Sequence, residues 1–426
     1  MNPSVRTLLP SILLFVLGCT QKQPTLQAVE TPTFPETDWP NWRGPTHNGI
    51  ASLNQTPPTI FSVAKNVVWK APVPGRGHGT PIVVGNQVIL LTADPAKELQ
   101  SVIAYNRENG QQLWKQNVHN KGFMRHNKKA SQANGSLSCD GERIFFNFPN
   151  SGAAWTTALN LADGKMLWQT RITDYVVHQG YGSTPFVYKR LLIVAADNKK
   201  AGIIAALDRT NGKVLWKHKR PKKPNYPSPV IFNVKGRDQL FLTGCDLVAS
   251  LDPLTGRKLW EFNGSTTECV ATIVTDGQRI FTSGGYPKNH ISAVEADGSG
   301  KVTWRNNIRV YVPSMVVKDG HLYAVTDAGI ATCWNSATGE TMWKGRLGGT
   351  FSASPTLVGD NFYAANEHGE FFVFKATPKA FEIVAKNQLG DEIFASPVIV
   401  GSRIYQRTAI RKGNQRQEFL FCIGNP

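Results

Sequence analysis

The sequence predicts an all-β chain: an eight-bladed β-propeller of four-stranded antiparallel blades, its ring closed by an N-terminal strand. Three observations carry this. First, a Gly is followed four residues later by a Trp six times, at Gly110/Trp114, Gly164/Trp168, Gly212/Trp216, Gly256/Trp260, Gly300/Trp304 and Gly339/Trp343. Those tryptophans lie 54, 48, 44, 44 and 39 residues apart, the length of one propeller blade and too long for most helical repeats. Second, a Ser or Thr, usually a Pro, two apolar runs and a short Gly-containing turn recur eight times, starting at Thr80, Ser136, Thr184, Ser228, Thr272, Ser314, Ser354 and Ser396. Third, the last copy supplies strands near 396–408 and 418–423 but no outer strand, while NVVWKAPV around Trp69 stands unpaired upstream of the first copy. Pairing the two closes the ring and removes exposed sheet edges.

Within each repeat the third strand ends in an Ala-x-Asp-like segment, as in AALDRTNGKVLW. Asp208, Asp252 and Asn335 can hydrogen-bond the following turn, and the Gly supplies the positive φ that the turn needs. Trp114, Trp168, Trp216, Trp260, Trp304, Trp343 and the orphan Trp69 then read as packing between blades rather than as ligand-binding groups. The seventh repeat departs from the pattern: AFEIVAKNQL replaces its Trp with smaller apolar residues.

Ahead of the propeller, assigned to residues 60–426, the chain divides into three. Residues 1–18 carry a basic start and the apolar run Leu8–Leu17, too short to span a bilayer, and read as a signal peptide. Val16-Leu17-Gly18-Cys19 resembles a bacterial lipobox, which makes Cys19 the expected lipidation site. Thr20 after the Cys favours an outer-membrane destination, so the expected location is the periplasmic face of that membrane. Residues 19–38 are polar and Pro-containing and read as a flexible tether. Residues 39–59 hold Trp39-Pro40-Asn41-Trp42-Arg43-Gly44-Pro45 and are expected to plug the propeller, with Trp39 and Trp42 packing and Arg43 meeting a carboxylate or capping backbone carbonyls.

The net charge of +17 favours anionic partners. Export argues against nucleic acid, and a closed ring is expected to be monomeric. Five cysteines remain beside Cys19, namely Cys139, Cys245, Cys269, Cys333 and Cys422. With no CxxC among them they read as buried small apolar groups, with one long-range disulfide as an alternative.

The pattern SPxVxxGxxIY followed by AxDxxTGxxxW resembles the repeats of pyrroloquinoline-quinone-type (quinoprotein-like) propellers, including the BamB-like lipoproteins. WPxxRGP resembles an N-terminal signature of quinoprotein-like propellers of planctomycete-type bacteria. The resemblance implies a non-catalytic binding scaffold of the cell envelope engaged in outer-membrane protein assembly, meeting envelope proteins or anionic envelope components. Quinone-dependent dehydrogenation with PQQ and Ca²⁺, or recognition of a carbohydrate or small ligand, are the alternatives. The quinone dehydrogenases resembled carry a vicinal disulfide and a Ca²⁺ cluster; this sequence shows neither, so no cofactor and no catalytic or metal residues are expected.

Two places attract attention as sites. Residues two before the Ser/Thr markers enter the axial funnel where propellers bind ligands, and with their neighbours they nominate His78, Asn134, Tyr181, Tyr226, Glu268, Tyr311 and Phe394. Lys217, Lys219, Arg220, Lys222 and Lys223 form a basic stretch, with Lys121, Arg125, Lys128 and Lys129 a second; each reads as a solvated connector or as a docking patch for an anionic partner. His119 and His126 lack short-spaced partners and are expected to be solvated.

Overall fold

In the computed structural model, which describes residues 29–425, thirty-two strands form eight four-stranded sheets. Seven sheets take their strands in chain order. Blade 1 runs from Ile82 to Asn120, blade 2 from Ser138 to Asp174, blade 3 from Phe186 to Arg220 and blade 4 from Val230 to Asn263. Blades 5, 6 and 7 span Val274–Asn306, Val316–Arg346 and Thr356–Gln388. In the eighth sheet Val67–Val73 joins as outer strand beside Gln415–Ile423, with Trp69 opposite Cys422 and Val73 opposite Glu418. The orphan strand read from the sequence is therefore the clasp. The lipidation site Cys19 and the signal peptide lie outside the described residues.

Burial follows position within a blade. The second and third strands of blade 1, Gln87–Asp94 and Leu99–Asn106, are buried at every interior residue, because neighbouring blades cover both faces. Its outer strand Gln112–Asn120 sits on the perimeter and alternates exposed with half-buried. Each outer-strand Trp reaches across to the next blade. A Cβ on Gly164 of blade 2 would stand 2.4 Å from Trp114 of blade 1, and the same holds for Gly212 on Trp168 at 2.5 Å and Gly110 on Trp69 at 2.6 Å. The turn glycines are thus fixed twice, by φ near +70° and by the indole lying on them. Several indole N–H groups bond the same neighbour, as Trp168 does to Arg209 O at 3.2 Å and Trp343 to Thr377 O at 2.7 Å. In blade 7 Ala385 pairs with Val373 where blade 6 pairs Trp343 with Cys333. Replacing Trp114 by Ala opens the blade 1–2 junction and is expected to cost about 3–5 kcal/mol, read as a fall in the urea midpoint at unchanged slope.

The Ser/Thr markers have a structural role that the sequence did not disclose. Thr80 N–H donates to Ser136 Oγ (2.9 Å), Ser136 to Thr184 (3.1 Å), Thr184 to Ser228 (2.9 Å), Thr272 to Ser314 (3.0 Å) and Ser314 to Ser354 (2.9 Å). Ser354 then donates to Ser396 (2.9 Å), and Ser396 returns to Thr80 (3.1 Å). This belt links the innermost backbone of successive blades around the axis. At the junction of blades 4 and 5, Thr272 Oγ1 instead accepts from Trp42 Nε1 at 3.2 Å.

That contact shows where the WPxxRGP segment goes. Trp39 bridges Val83 of blade 1, Asn41 bridges Ser138 of blade 2 and Ile50 bridges Leu357 of blade 7, so the segment crosses the end of the central channel. Trp39 is buried, and His47 lies tilted against the Phe186 ring of blade 3, centroids 4.2 Å apart. Arg43 caps carbonyls, donating to Asn48 O (2.8 Å) and to Met315 O, and meets no carboxylate among the described residues. Burial lowers its pKa to about 9 and that of His47 to about 4.

All five described cysteines are buried and free. Burial pushes the Cys139 and Cys422 thiols up to about 12 and those of Cys269 and Cys333 to about 11, which keeps them protonated and unreactive.

Candidate functional site: a plugged axial funnel

Opposite the plug the channel opens as a funnel of about 750 Å³, within the range typical of small-molecule pockets. Trp42 lies at its base, and all eight Ser/Thr markers line it. Above them the wall holds each of His78, Asn134, Tyr181, Tyr226, Glu268, Tyr311 and Phe394. This follows from topology: a residue two before the marker sits where the connector from the previous blade turns into the innermost strand.

The seven differ in how free they are. His78 stacks flat on Phe394, centroids 4.1 Å apart, and its Nε2 has no hydrogen-bond partner. Burial, reinforced by Arg76 and Arg407, holds its pKa well below the usual histidine value, so the ring is neutral at pH 7. Tyr181 donates its hydroxyl to Ala195 O (2.6 Å), and Asn134 accepts from Ser131 N–H (2.7 Å) and hydroxyl (2.8 Å); both serve local structure. Glu268 is buried, paired with His178 at 3.2 Å and accepting from the Tyr311 hydroxyl at 3.3 Å. Tyr226 stands near this carboxylate, buried, its hydroxyl shut off from solvent beside the Gln179 backbone. Burial first, and the charge of Glu268 second, raise its pKa, so it stays a neutral phenol.

Other lining groups escaped the sequence reading because they sit in connectors without a periodic marker. Arg309 lies over the Tyr311 ring at 4.8 Å and donates to Gly285 O at 2.7 Å. Asp327 accepts from Tyr311 N at 2.7 Å and Val312 N at 3.3 Å, and burial raises its pKa. The connector from blade 1 to blade 2 arches over the opening: Asn127 N–H donates to Gln179 O at 2.8 Å, and Lys129 reaches Glu367 of blade 7 at 3.3 Å. Glu367 also accepts from Ser352 at 2.7 Å.

The basic stretch 217–223 needs correction. Arg220 points inward, buried, pairing with Asp197 at 2.9 Å and donating to Gly244 O at 3.0 Å. Lys223 is bound by Asp246, and Lys217 caps Ile172 O at 3.0 Å. Alternation along the strand explains this: Trp216, His218 and Arg220 face the neighbouring blade, while Lys217 and Lys219 face water. Lys219 and Lys222 stay exposed and, among the described residues, unpaired, as do Lys121, Arg125 and Lys128 of the other stretch and Lys199 between them. Contacts from Asn127 to Gln179, Asn198 to Val176 and Asp197 to Arg220 join these connectors into one basic rim on the funnel face. His119 is likewise corrected: it lies half-buried among Phe148, Trp155 and Gln169, and burial lowers its pKa to about 4.

The residues do not fit a quinone held by Ca²⁺ in the manner of the dehydrogenases. Trp42 offers a flat floor, but the chain has no adjacent cysteines, and among the described residues no three His, Cys, Asp or Glu side chains gather as a metal site.

Comparison with known proteins places this architecture. Against curated proteins the chain is similar to the tetrathionate hydrolase of Acidithiobacillus ferrooxidans, 23% identical over 72% of this chain and 67% of that one. It is also similar to the outer membrane protein assembly factor BamB of Yersinia pestis, 23% identical over 58% of this chain, the alignment spanning about half, 52%, of the relative. Among solved structures, BamB from Moraxella catarrhalis superposes with a TM-score of 0.59 at 13% identity, covering 83% of this chain and 96% of that one. A europium-containing methanol dehydrogenase superposes at 0.65 and 11% identity, covering 88% and 90%, so the fold is common to proteins with different roles. The family profile described as outer membrane protein assembly factor BamB matches residues 55–175, 98–345 and 287–379, together well over half of the sequence, and the chain belongs to that family.

Proposed function

We propose that the protein is a non-catalytic binding scaffold of the bacterial cell envelope, lipid-anchored through Cys19 at the periplasmic face of the outer membrane, and that its funnel-bearing face docks a partner in outer-membrane protein assembly. The observation that carries this reading is the basic rim: six exposed cations on the funnel face of blades 1 to 3, none with an ion-pair partner among the described residues, at the open end of a ring plugged at its other end. Flexible exposed lysines steer and orient an acidic surface, raising association rate more than final affinity. The carboxylates within the funnel are already tied to His178, Lys129 or backbone amides, an arrangement that suits binding better than proton transfer.

Photo-crosslinking of the full-length, lipidated protein in cells, read by mass spectrometry, tests this. Recovery of the barrel-insertion machinery is expected, and charge reversal at Lys121, Lys128, Lys219 and Lys222 should cut it severalfold while leaving the fold intact. Arg220 and Lys223 are left out because they hold Asp197 and Asp246. Unchanged capture after charge reversal, or capture of no assembly component, overturns the reading.

A further inference from the structure

We propose that a groove between blades 5 and 6 is a separate binding site, and that it takes a phosphate monoester carrying an apolar group. It lies across the ring from the basic rim of blades 1 to 3 and goes beyond partner docking there. The groove follows from chain length. Blade 5 has the shortest outer strand of the eight, the five residues Val302–Asn306. Asn306 then turns the chain toward the funnel, its side chain accepting from Ile308 N–H at 3.1 Å. The outer half of blade 6 is left uncovered on its blade 5 side, and the space holds about 740 Å³. Trp343 points the other way, to Thr377 O of blade 7, so by strand alternation Lys344 and Arg346 line the groove.

Blade 7 shows what blade 6 lacks. There Lys386, at the same register as Lys344, pairs with Glu370 and lies over the Phe372 ring at 5.5 Å. Blade 6 keeps the cation but has Ile330 in place of Glu370 and Thr332 in place of Phe372. Both the counter-ion and the ring that would fill the space are gone. Lys344 and Arg346 are exposed and, among the described residues, have no side-chain partner. Arg309 brings a third cation from the opposite wall. The one carboxylate in the lining, Asp327, accepts from Tyr311 N and Val312 N. Three positive charges therefore face one negative charge, an excess that a dianionic phosphate monoester matches and a single carboxylate does not. Ile308, Ala328 and Ile330 lie beside these cations as an apolar floor, which a bare oxyanion would leave unused.

Calorimetric titration of the purified full chain with hexyl phosphate, inorganic phosphate and hexanoate, in a buffer free of other oxyanions, tests this. Hexyl phosphate should bind saturably, and inorganic phosphate about tenfold more weakly, the effect of withdrawing a few methylenes from the apolar floor. Hexanoate should also bind more weakly, having one charge to offer. Joint replacement Lys344→Gln and Arg346→Gln should weaken hexyl phosphate binding about tenfold or more. Ile330→Glu rebuilds the pairing seen in blade 7 and should abolish binding while the thermal midpoint of the free protein holds or rises. Lys115→Gln, which follows Trp114 on blade 1 as Lys344 follows Trp343, should leave binding unchanged. No binding of hexyl phosphate at millimolar concentration overturns the inference, as does equally tight binding of either other probe. Binding that survives the Lys344/Arg346 pair of substitutions, or that Lys115→Gln weakens as much, overturns it too. If Ile330→Glu lowers the midpoint, that pair decides, since neither side chain bonds anything within the fold. Partner capture at the rim is read on other residues, so failure here leaves the scaffold reading standing, and the reverse.

Discussion

A chain lacking residues 60–75 is expected to accumulate as insoluble protein, with the soluble remainder eluting as oligomers. The segment supplies the outer strand of blade 8, and without it Gln415–Ile423 presents nine residues of bare edge. Three further contacts leave with it. Trp69 packs on Gly110 and bonds Arg107 O at 2.9 Å, which joins blade 8 to blade 1. Tyr105 donates its hydroxyl to Pro72 O at 2.7 Å. Phe61, 2% exposed, packs edge-on against Phe371 and covers the outer side of blade 7, where Ala385 is too small to do so. A propeller gains stability from nearest-neighbour interfaces, and an open ring loses one whole interface rather than one residue's worth. Size-exclusion chromatography and circular dichroism of the soluble fraction decide the matter. A soluble monomer with undiminished β signal would mean that the ring does not need its clasp.

The clasp was legible because two of its signals are local: a strand-like run with a repeat-type Trp, and a last repeat short of a strand. Blade number was legible for the same reason, since Gly-to-Trp spacing is a covalent distance that survives without knowledge of contacts. The funnel-lining positions could be read once the markers were aligned, because topology alone puts the residue before an innermost strand at the axis. What could not be read is whatever depends on a partner distant in sequence. Arg220 looked like one charge in a basic run, yet its partner Asp197 arrives from the turn between the second and third strands of the same blade. The belt of hydroxyls is invisible in any single repeat, since seven of the eight Ser or Thr markers accept from the preceding blade and the eighth, Thr272, accepts from Trp42. Trp42 was expected to pack against the propeller; it meets it through a hydrogen bond to Thr272, and its place at the funnel floor depends on how the plug crosses the ring. His119 carries no mark in sequence that separates a half-buried ring from a solvated one.

Replacing Glu418 by Gln should destabilise the protein by about 3–5 kcal/mol, the cost of leaving a buried charge without its counter-ion. Glu418 and Arg407 are each 2% exposed, with Arg407 Nε 2.6 Å from Glu418 Oε2. Arg407 also donates to Leu91 O at 2.5 Å and Thr92 Oγ1 at 3.2 Å, both in blade 1, so the pair ties the last blade to the first. Glu418 in turn accepts from Arg416 at 2.8 Å and from Gly77 N–H at 3.3 Å, in the connector between the clasp and blade 1. Gln keeps the shape but withdraws the charge, which Arg407 cannot replace from carbonyl contacts alone. Glu108→Gln is the comparison, because Glu108 pairs with Arg403 at 2.7 Å but lies largely exposed, where such pairs contribute at most about 1 kcal/mol. Urea unfolding of the two variants gives the difference directly. Equal midpoints would show that the Arg407–Glu418 pair is not what holds the ring shut, and that the hydroxyl belt and the clasp strand suffice.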